Sequence, residues 1–246
     1  MKANNVFVKA DYSGQELRVL AEISQDRRMI NAFNNNEDLH LVTANRVFGL
    51  DIPPEALIQT SAQYGELLSK FKVERYKAKN GINFPIIYGA WPRSIAEAHN
   101  VSIKEAQRWL NEFHKLYPGV QKAIDKTKQE LWNQGYVTTL MGRRRRFPQY
   151  KNVDKWEQGR ILRQAFNFKI QGFSADMIKI AANKISKILS FHNAKIVLSV
   201  HDELVYELQK CFQKEFAEKV KEIMENCVSL SVPIIADVNI VKSYGE

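Results

Sequence analysis

Segments with strand periodicity lie near the two ends of this sequence, and most of what separates them reads as helix. Val6 to Ala10 alternates apolar and polar residues and stops at Asp11. Lys195–Val200 and Leu204–Leu208 alternate on either side of His201-Asp202-Glu203, a tight hairpin tip, and 234–241 supplies a last strand. Strands at both ends around a mostly helical insertion predict an α+β fold, with the end strands sharing one antiparallel sheet.

The insertion is punctuated by helix signals. Helices are expected at Leu17–Ile23, at 37–48 ending on Gly49, and at 55–70 after the Asp51-Ile-Pro-Pro turn. Residues 74–88 are helix-like but interrupted. Ser102-Ile-Lys-Glu105 is a capping box opening a helix to Leu116, and Pro118 starts another reaching Asn133. Tyr136–Leu140, Met141-Gly142 and a basic run suggest a small hairpin. Helices at 154–166, 173–190 and 212–227 follow. With 45% hydrophobic residues among 246, a sizeable core is expected and wholesale disorder is excluded. Lys plus Arg number 36 against 27 Asp plus Glu, a net charge of +9 that favours a polyanionic partner. No apolar run approaches the ~20 residues of a membrane span, so no membrane partner is expected. The N-terminal stretch has no long apolar region, so the chain reads as not secreted. Cys211 and Cys227 are too few for a zinc site and read as two reduced thiols.

Asp11 closes the first strand and Asp202 tips the terminal hairpin beside Glu203. In one sheet these remote carboxylates can become neighbours. They would then repel, and one would take up a proton unless a divalent cation neutralised them. Hard oxygen ligands of this kind suit Mg²⁺. The plainer reading makes Asp11 a turn residue and Asp202-Glu203 a solvated tip; spacing alone leaves both open.

The wording of the segments goes further. Asp11-Tyr-Ser-Gly-Gln-Glu-Leu-Arg18 resembles motif A of the family A (DNA polymerase I type) DNA polymerases, and Val200-His-Asp-Glu-Leu204 resembles their motif C. Arg75-Tyr-Lys-Ala-Lys79, Asn83-Phe84 and Tyr88-Gly89 resemble motif B. Asp38-Leu-His40, Tyr117-Pro-Gly-Val120, Gly142-Arg-Arg-Arg145 and the run from Arg163 to Gly172 fall in the family's order, so the likeness covers essentially the whole chain. It implies a palm at 1–36, fingers at 37–150 with motif B at 75–89, and palm again at 151–246, with a template-contacting helix at 160–172 and motif C at 200–204. The implied activity is template-directed DNA synthesis, nucleotidyl transfer from a dNTP to a primer 3′-hydroxyl by a two-metal mechanism. Asp11 and Asp202 would hold two Mg²⁺ ions, with the Tyr12 carbonyl as an added ligand and Glu203 a weaker participant. Glu16, His40, Arg75, Lys79, Phe84 and Tyr88 would bind the dNTP, Glu16 excluding a 2′-hydroxyl. Arg143, Arg144, Arg163, Asn167, Gln171 and His201 would contact primer–template DNA. Without the resemblance, Phe84 and Tyr88 would be core aromatics, His40 and His201 ordinary surface or turn residues, and Arg143–Arg146 a solvated patch. A cytoplasmic site of action, bacterial or phage, or an organellar matrix is implied.

Three departures accompany the likeness. The family's motif B steps by four residues, but Lys79 to Phe84 is five. One extra residue turns an α-helix by ~100° and would swing Lys79 and Arg75 off the face of Phe84, unless a single π-turn near Asn80-Gly81 absorbs it. Pro85 stands where the family has glycine, and with Gly81 it predicts a kinked helix. Finally, the motifs begin so early that thumb and N-terminal palm are expected to be absent and the sheet to carry an unpaired edge. A separate polypeptide supplying that half is one expectation. The alternatives are a non-catalytic DNA-binding subunit and a decayed remnant of such a polymerase.

Overall fold

The computed structural model describes residues 5–243. Strand β1 is Asn5–Tyr12. Helices α1 (Gln15–Ser24), α2 (Arg27–Asn34), α3 (Leu39–Phe48), α4 (Tyr64–Lys70), α5 (Lys72–Ala78), α6 (Phe84–Ile87), α7 (Pro92–His99), α8 (Ile103–Leu116) and α9 (Pro118–Gln134) follow. Then come the short strands β2 (Tyr136–Thr138) and β3 (Arg144–Arg146), helix α10 (Lys155–Ser186), strands β4 (Lys195–Val200) and β5 (Glu203–Gln209), helix α11 (Gln213–Glu225) and strand β6 (Ala236–Val241). Contact divides the chain into two compact units after Arg18 and after Ile170, inside α1 and α10. The motif boundaries given above fall at 36 and 150.

The unit that joins the start of the chain to residues from Gln171 onward carries the sheet. Its order is β4-β5-β1-β6, every neighbouring pair antiparallel, so the end strands do share one sheet. Period-two patterning places Val6, Val8, Ala10 and Tyr12 of β1 inside. Helix α11 covers β1 and β6 with Phe216, Val220 and Met224, which recur every four residues on one buried face. The Tyr206 and Phe216 rings meet edge to face at 5.3 Å. At the far side β4 is an edge strand with all six residues exposed, including Ile196, Val197, Leu198 and Val200, and a register shift lies between Ile196 and Leu198.

The second unit, Val19–Ile170, is mainly helical. Asp38 caps α3 by accepting from the His40 and Leu41 N–H groups, and Gly49 ends that helix in the left-handed region. Ser102 caps α8 as expected, accepting from the Glu105 N–H at 3.1 Å. Tyr117 is fully buried, its hydroxyl 3.2 Å from that of Thr43.

Two expectations need correction. The helix at 55–70 is split: Pro54–Leu57 forms one 3₁₀ turn, Ile58 makes an isolated bridge with Glu37, and α4 begins only at Tyr64. The bridge takes the backbone that a continuous helix would have used. Conversely, 154–166 and 173–190 are largely one helix, the 32-residue α10. Ile161, Ala165, Ile170, Phe173, Met177, Ala181 and Ile185 form its buried stripe. Gly172, which lies between the two expected helices, costs about 1 kcal/mol, too little to break so long an apolar seam. Among the described residues no helix is long and apolar enough to cross a membrane.

Candidate active site

Sheet register builds the first half of the site. Asp11 lies opposite Glu203 of β5 on one side and opposite Asp237 of β6 on the other. Val200 pairs with Glu203, which leaves a two-residue turn of His201 and Asp202, with His201 at a φ of 54°. The Tyr12 N–H donates to the Asp202 carbonyl at 3.4 Å and so ties that turn to the end of β1. The two remote aspartates are thereby neighbours. Burial, then the charge and hydrogen bond of Asp202, then the charges of Glu203 and Asp237 push the Asp11 carboxyl up to about 6. Its Oδ1 is buried without a hydrogen-bond partner. Among the described residues no three acidic, histidine or cysteine side chains gather in a metal-holding group. A crowded carboxylate with an orphaned oxygen beside a second carboxylate nevertheless fits Mg²⁺, which takes few protein oxygens and keeps water or phosphate for the rest.

Neighbouring groups hold this corner. The Tyr12 hydroxyl donates to the Met224 carbonyl at 3.0 Å and lies 3.2 Å from Cys227 Sγ. Arg18 donates from Nε to the Ser13 carbonyl at 2.9 Å and from a terminal nitrogen to the Pro233 carbonyl at 2.6 Å, pinning the turn after β1 to the approach to β6. Burial lowers this guanidinium to about 10, with Asp237 opposing the shift. Gln171 donates to a Glu16 carboxylate oxygen at 3.3 Å, joining two of the expected site residues. Asp237 was not singled out from sequence. Only the register of β6 on β1 reveals it, and a lone acid in a terminal strand carries no such signal.

The helical unit gathers another group. Lys79–Asn83 is a π-helical turn in which the Phe84 N–H reaches the Lys79 carbonyl. That wider turn absorbs the five-residue step. Lys79 Nζ lies 5.8 Å from the Phe84 ring centre, and Phe84 stacks on Tyr88 with centres 6.5 Å apart and planes 15° from parallel. Pro85 sits in the first turn of α6, where a missing N–H is tolerated. Gly81 makes room for His99, since a Cβ there would come within 2.9 Å of its Nε2.

His40 Nδ1 is 2.8 Å from Asn83 Nδ2. The contact ties the two side chains together, and the tautomer of the imidazole sets which of them donates. Burial first, opposed by Asp38 and aided by Arg75 and Lys79, lowers this imidazole to about 4, so it is neutral at physiological pH. Arg75 Nε donates to Asp38 Oδ2 at 2.5 Å, and the Tyr64 hydroxyl donates to the same oxygen at 2.8 Å. Burial raises the Asp38 carboxyl, but the Arg75 bond and charge, the Tyr64 hydroxyl and the Leu41 N–H outweigh it and leave the group below its ordinary value. Asp38 is thus the anchor of Arg75, a pairing that residues 37 positions apart do not announce.

Of the residues expected to meet nucleic acid, Arg163, Asn167 and Gln171 recur every four positions along α10 and so share a helix face. Arg144 stands on the exposed strand β3 with its guanidinium 5.1 Å from the Tyr136 ring centre, and Arg143 lies at the turn before it. His201 is exposed.

The chain resembles known proteins along its length. The model of DNA polymerase family A matches residues 1–246. DNA polymerase I of Streptococcus pneumoniae is 36% identical over 238 residues, covering 96% of this chain and 25% of that protein. The Caldicellulosiruptor bescii enzyme is 37% identical over 242 residues, with 96% and 26% covered. Thermus aquaticus thermostable DNA polymerase I is 35% identical over 235, again with 96% and 26%. The chain therefore spans about a quarter of the length of these relatives. A solved structure of the POL domain of Pol1 from M. smegmatis, in complex with DNA primer-template and dNTP, superposes with a TM-score of 0.84 at 28% identity, covering 99% of this chain and 40% of that one. Family match, identity and fold agree: the chain belongs to DNA polymerase family A.

Proposed function

We propose that this chain is the palm–fingers part of a template-directed DNA polymerase, joining a dNTP to a primer 3′-hydroxyl with loss of pyrophosphate. The observation that carries the reading is the crowding of Asp11 against Asp202, Glu203 and Asp237, with one buried Asp11 oxygen left without a partner. Asp11 and Asp202, with the Tyr12 carbonyl, would hold two Mg²⁺ ions, which when bound would activate the attacking hydroxyl and stabilise the departing pyrophosphate.

The chain's own residues do the rest. Lys79 and Arg75 offer positive charge to the triphosphate, and neutral His40 adds a phosphate contact. Phe84 and Tyr88 present ring faces to base and sugar. Glu16 opposes an added 2′-hydroxyl, which would leave a carboxylate poorly paired. Glu203 adds negative field beside the pair. Arg143, Arg144, Arg163, Asn167, Gln171 and His201 contact primer–template, those on α10 reading acceptors common to all base pairs in the minor groove. On this reading 1–36 and 151–246 act as palm and 37–150 as fingers, in a bacterial or phage cytoplasm or an organellar matrix. Further palm strands would pair with the exposed edge at β4, and a separate polypeptide carrying them and a thumb is the partner this reading implies.

The test is primer extension with Mg²⁺, with and without a thumb-bearing polypeptide. Incorporation should appear, ribonucleotides should be poor substrates, and Asp202→Asn should reduce the rate by at least ~10³-fold. Folded protein that binds primer–template in a salt-dependent way, yet never extends it, would establish the non-catalytic alternative instead.

A further inference from the structure

Asn83 ends the π-turn of Lys79–Asn83 and is fully buried. Its amide meets the imidazole of His40 on α3, 43 positions away, at 2.8 Å from Nδ1. The other amide atom, Oδ1, is buried with no hydrogen-bond partner. A leucine of similar size would strand no polar atom there, so packing alone does not account for an asparagine at this position. The imidazole is held in other ways as well. Its ring centre lies 5.8 Å from that of Phe84, with the planes at 39°. Asp38 accepts from the His40 N–H at 2.9 Å, which fixes the backbone beneath the ring. The contact with Asn83 takes Nδ1 and leaves the other ring nitrogen, Nε2, unclaimed by it.

An asparagine carries a donor and an acceptor at one end, and a half-turn of the amide exchanges them. It can therefore hold His40 whichever nitrogen bears the proton: the amide N–H donates to a bare Nδ1, or the amide oxygen accepts from a protonated one. An ionised phosphate oxygen is less accommodating, because it only accepts. A neutral imidazole that meets one must carry its proton on Nε2, and Nδ1 is then an acceptor in need of a donor. Burial keeps His40 neutral at physiological pH, and Arg75 and Lys79 lie near enough to act on its charge. Leucine could supply no donor to Nδ1.

We propose that Asn83 is a positioning residue for triphosphate binding: by donating to Nδ1 it fixes the His40 tautomer that presents a proton on Nε2 to a phosphate oxygen. The proposal deepens the dNTP-binding reading of His40 and rests on it. The full chain, with ¹⁵N-labelled histidines, is titrated at neutral pH in Mg²⁺ with inorganic tripolyphosphate and with dATP. The His40 imidazole signals are assigned by their loss in His40→Gln. In wild type both ligands should drive His40 to the form with a bare Nδ1 and a protonated Nε2. Asn83→Leu should leave a mixture of tautomers with ligand bound and should weaken binding of both ligands by about 5- to 20-fold. In a His40→Gln chain the same change should weaken binding by less than about 2-fold, because Asn83 acts through the ring; a merely structural role would give equal losses in the two backgrounds. Wild type alone decides if Asn83→Leu does not fold: a ligand-bound His40 with its proton on Nδ1, or with both nitrogens protonated, overturns the proposal. Equal losses in the two backgrounds overturn it as well, and so does an Asn83→Leu chain that binds as wild type does. A wild type whose His40 responds to neither ligand overturns the triphosphate reading of that residue, and the positioning role with it.

Discussion

A carboxyl that keeps its proton up to about pH 6 is held against its own preference by the fold around it. Between the ordinary aspartate range and that value, folded Asp11 binds more protons than the unfolded chain does. Its contribution to stability therefore falls as pH rises through the window and is least favourable above it. Asp11→Asn removes the penalty. After discount for solvent screening of a partly exposed carboxyl, the variant should gain about 1 kcal/mol at pH 7 and almost nothing at pH 4, read by urea denaturation. Mg²⁺ should stabilise wild type and close the gap, leaving the variant unmoved; a variant less stable than wild type at pH 7 would contradict the crowding. Asp38 has the opposite sign. Its carboxyl is held down by Arg75 and Tyr64, so its contribution is present at neutral pH and lost as pH falls through the depressed value. Asp38→Ala strips a cap, an ion pair and a hydroxyl bond from one buried group and should cost about 3 kcal/mol in denaturant unfolding, where a surface acid would cost under about 0.5.

The π-turn shows what a sequence can and cannot announce about an element. The five-residue step from Lys79 to Phe84 is plain in the sequence, and so are its two outcomes, cations swung aside or an i→i+5 turn. The Phe84–Lys79 backbone bond decides it, and Gly81 against His99 shows the packing that accompanies the wide turn. Gly81→Ala should cost about 1–3 kcal/mol by overpacking, and His99→Ala in the same chain should recover much of that. A Gly81→Ala change without effect on the melting temperature would mean that His99 yields freely. The strands, the Ser102 cap and the stop at Gly49 were legible because each rests on local periodicity or a single cap. The split at 58–63 was not, because the bridge between Glu37 and Ile58 is a long-range bond. The continuity of α10 was not, because Gly172 reads as a breaker until its buried neighbours are counted. Asp237 and the partner of Arg75 were hidden for the same reason: register and tertiary pairing, not residue type, place them.

Across the chain, the sequence gives the candidate residues, one sheet shared by the end strands and an unpaired edge, but not which strand forms that edge. A strand exposed along its whole length, with Ile196, Val197, Leu198 and Val200 accessible, offers backbone donors and acceptors to any extended segment that fits. Edge strands that stand alone are commonly guarded by a lysine or proline; here Lys195 opens the strand and the following five positions carry no charge. Without a covering strand, the protein at tens of micromolar should associate with itself through this edge, seen as a concentration-dependent shift in sedimentation velocity. Leu198→Lys places a charge at mid-strand and should abolish the shift while changing unfolding free energy by less than about 0.5 kcal/mol, since the residue is already exposed. A polypeptide that supplies the adjoining palm strands should suppress the self-association of wild type at stoichiometric amounts and should bind the lysine variant poorly. Wild-type protein that stays monomeric throughout, and that binds such a polypeptide no better than Leu198→Lys does, would show that this edge is tolerated as it stands.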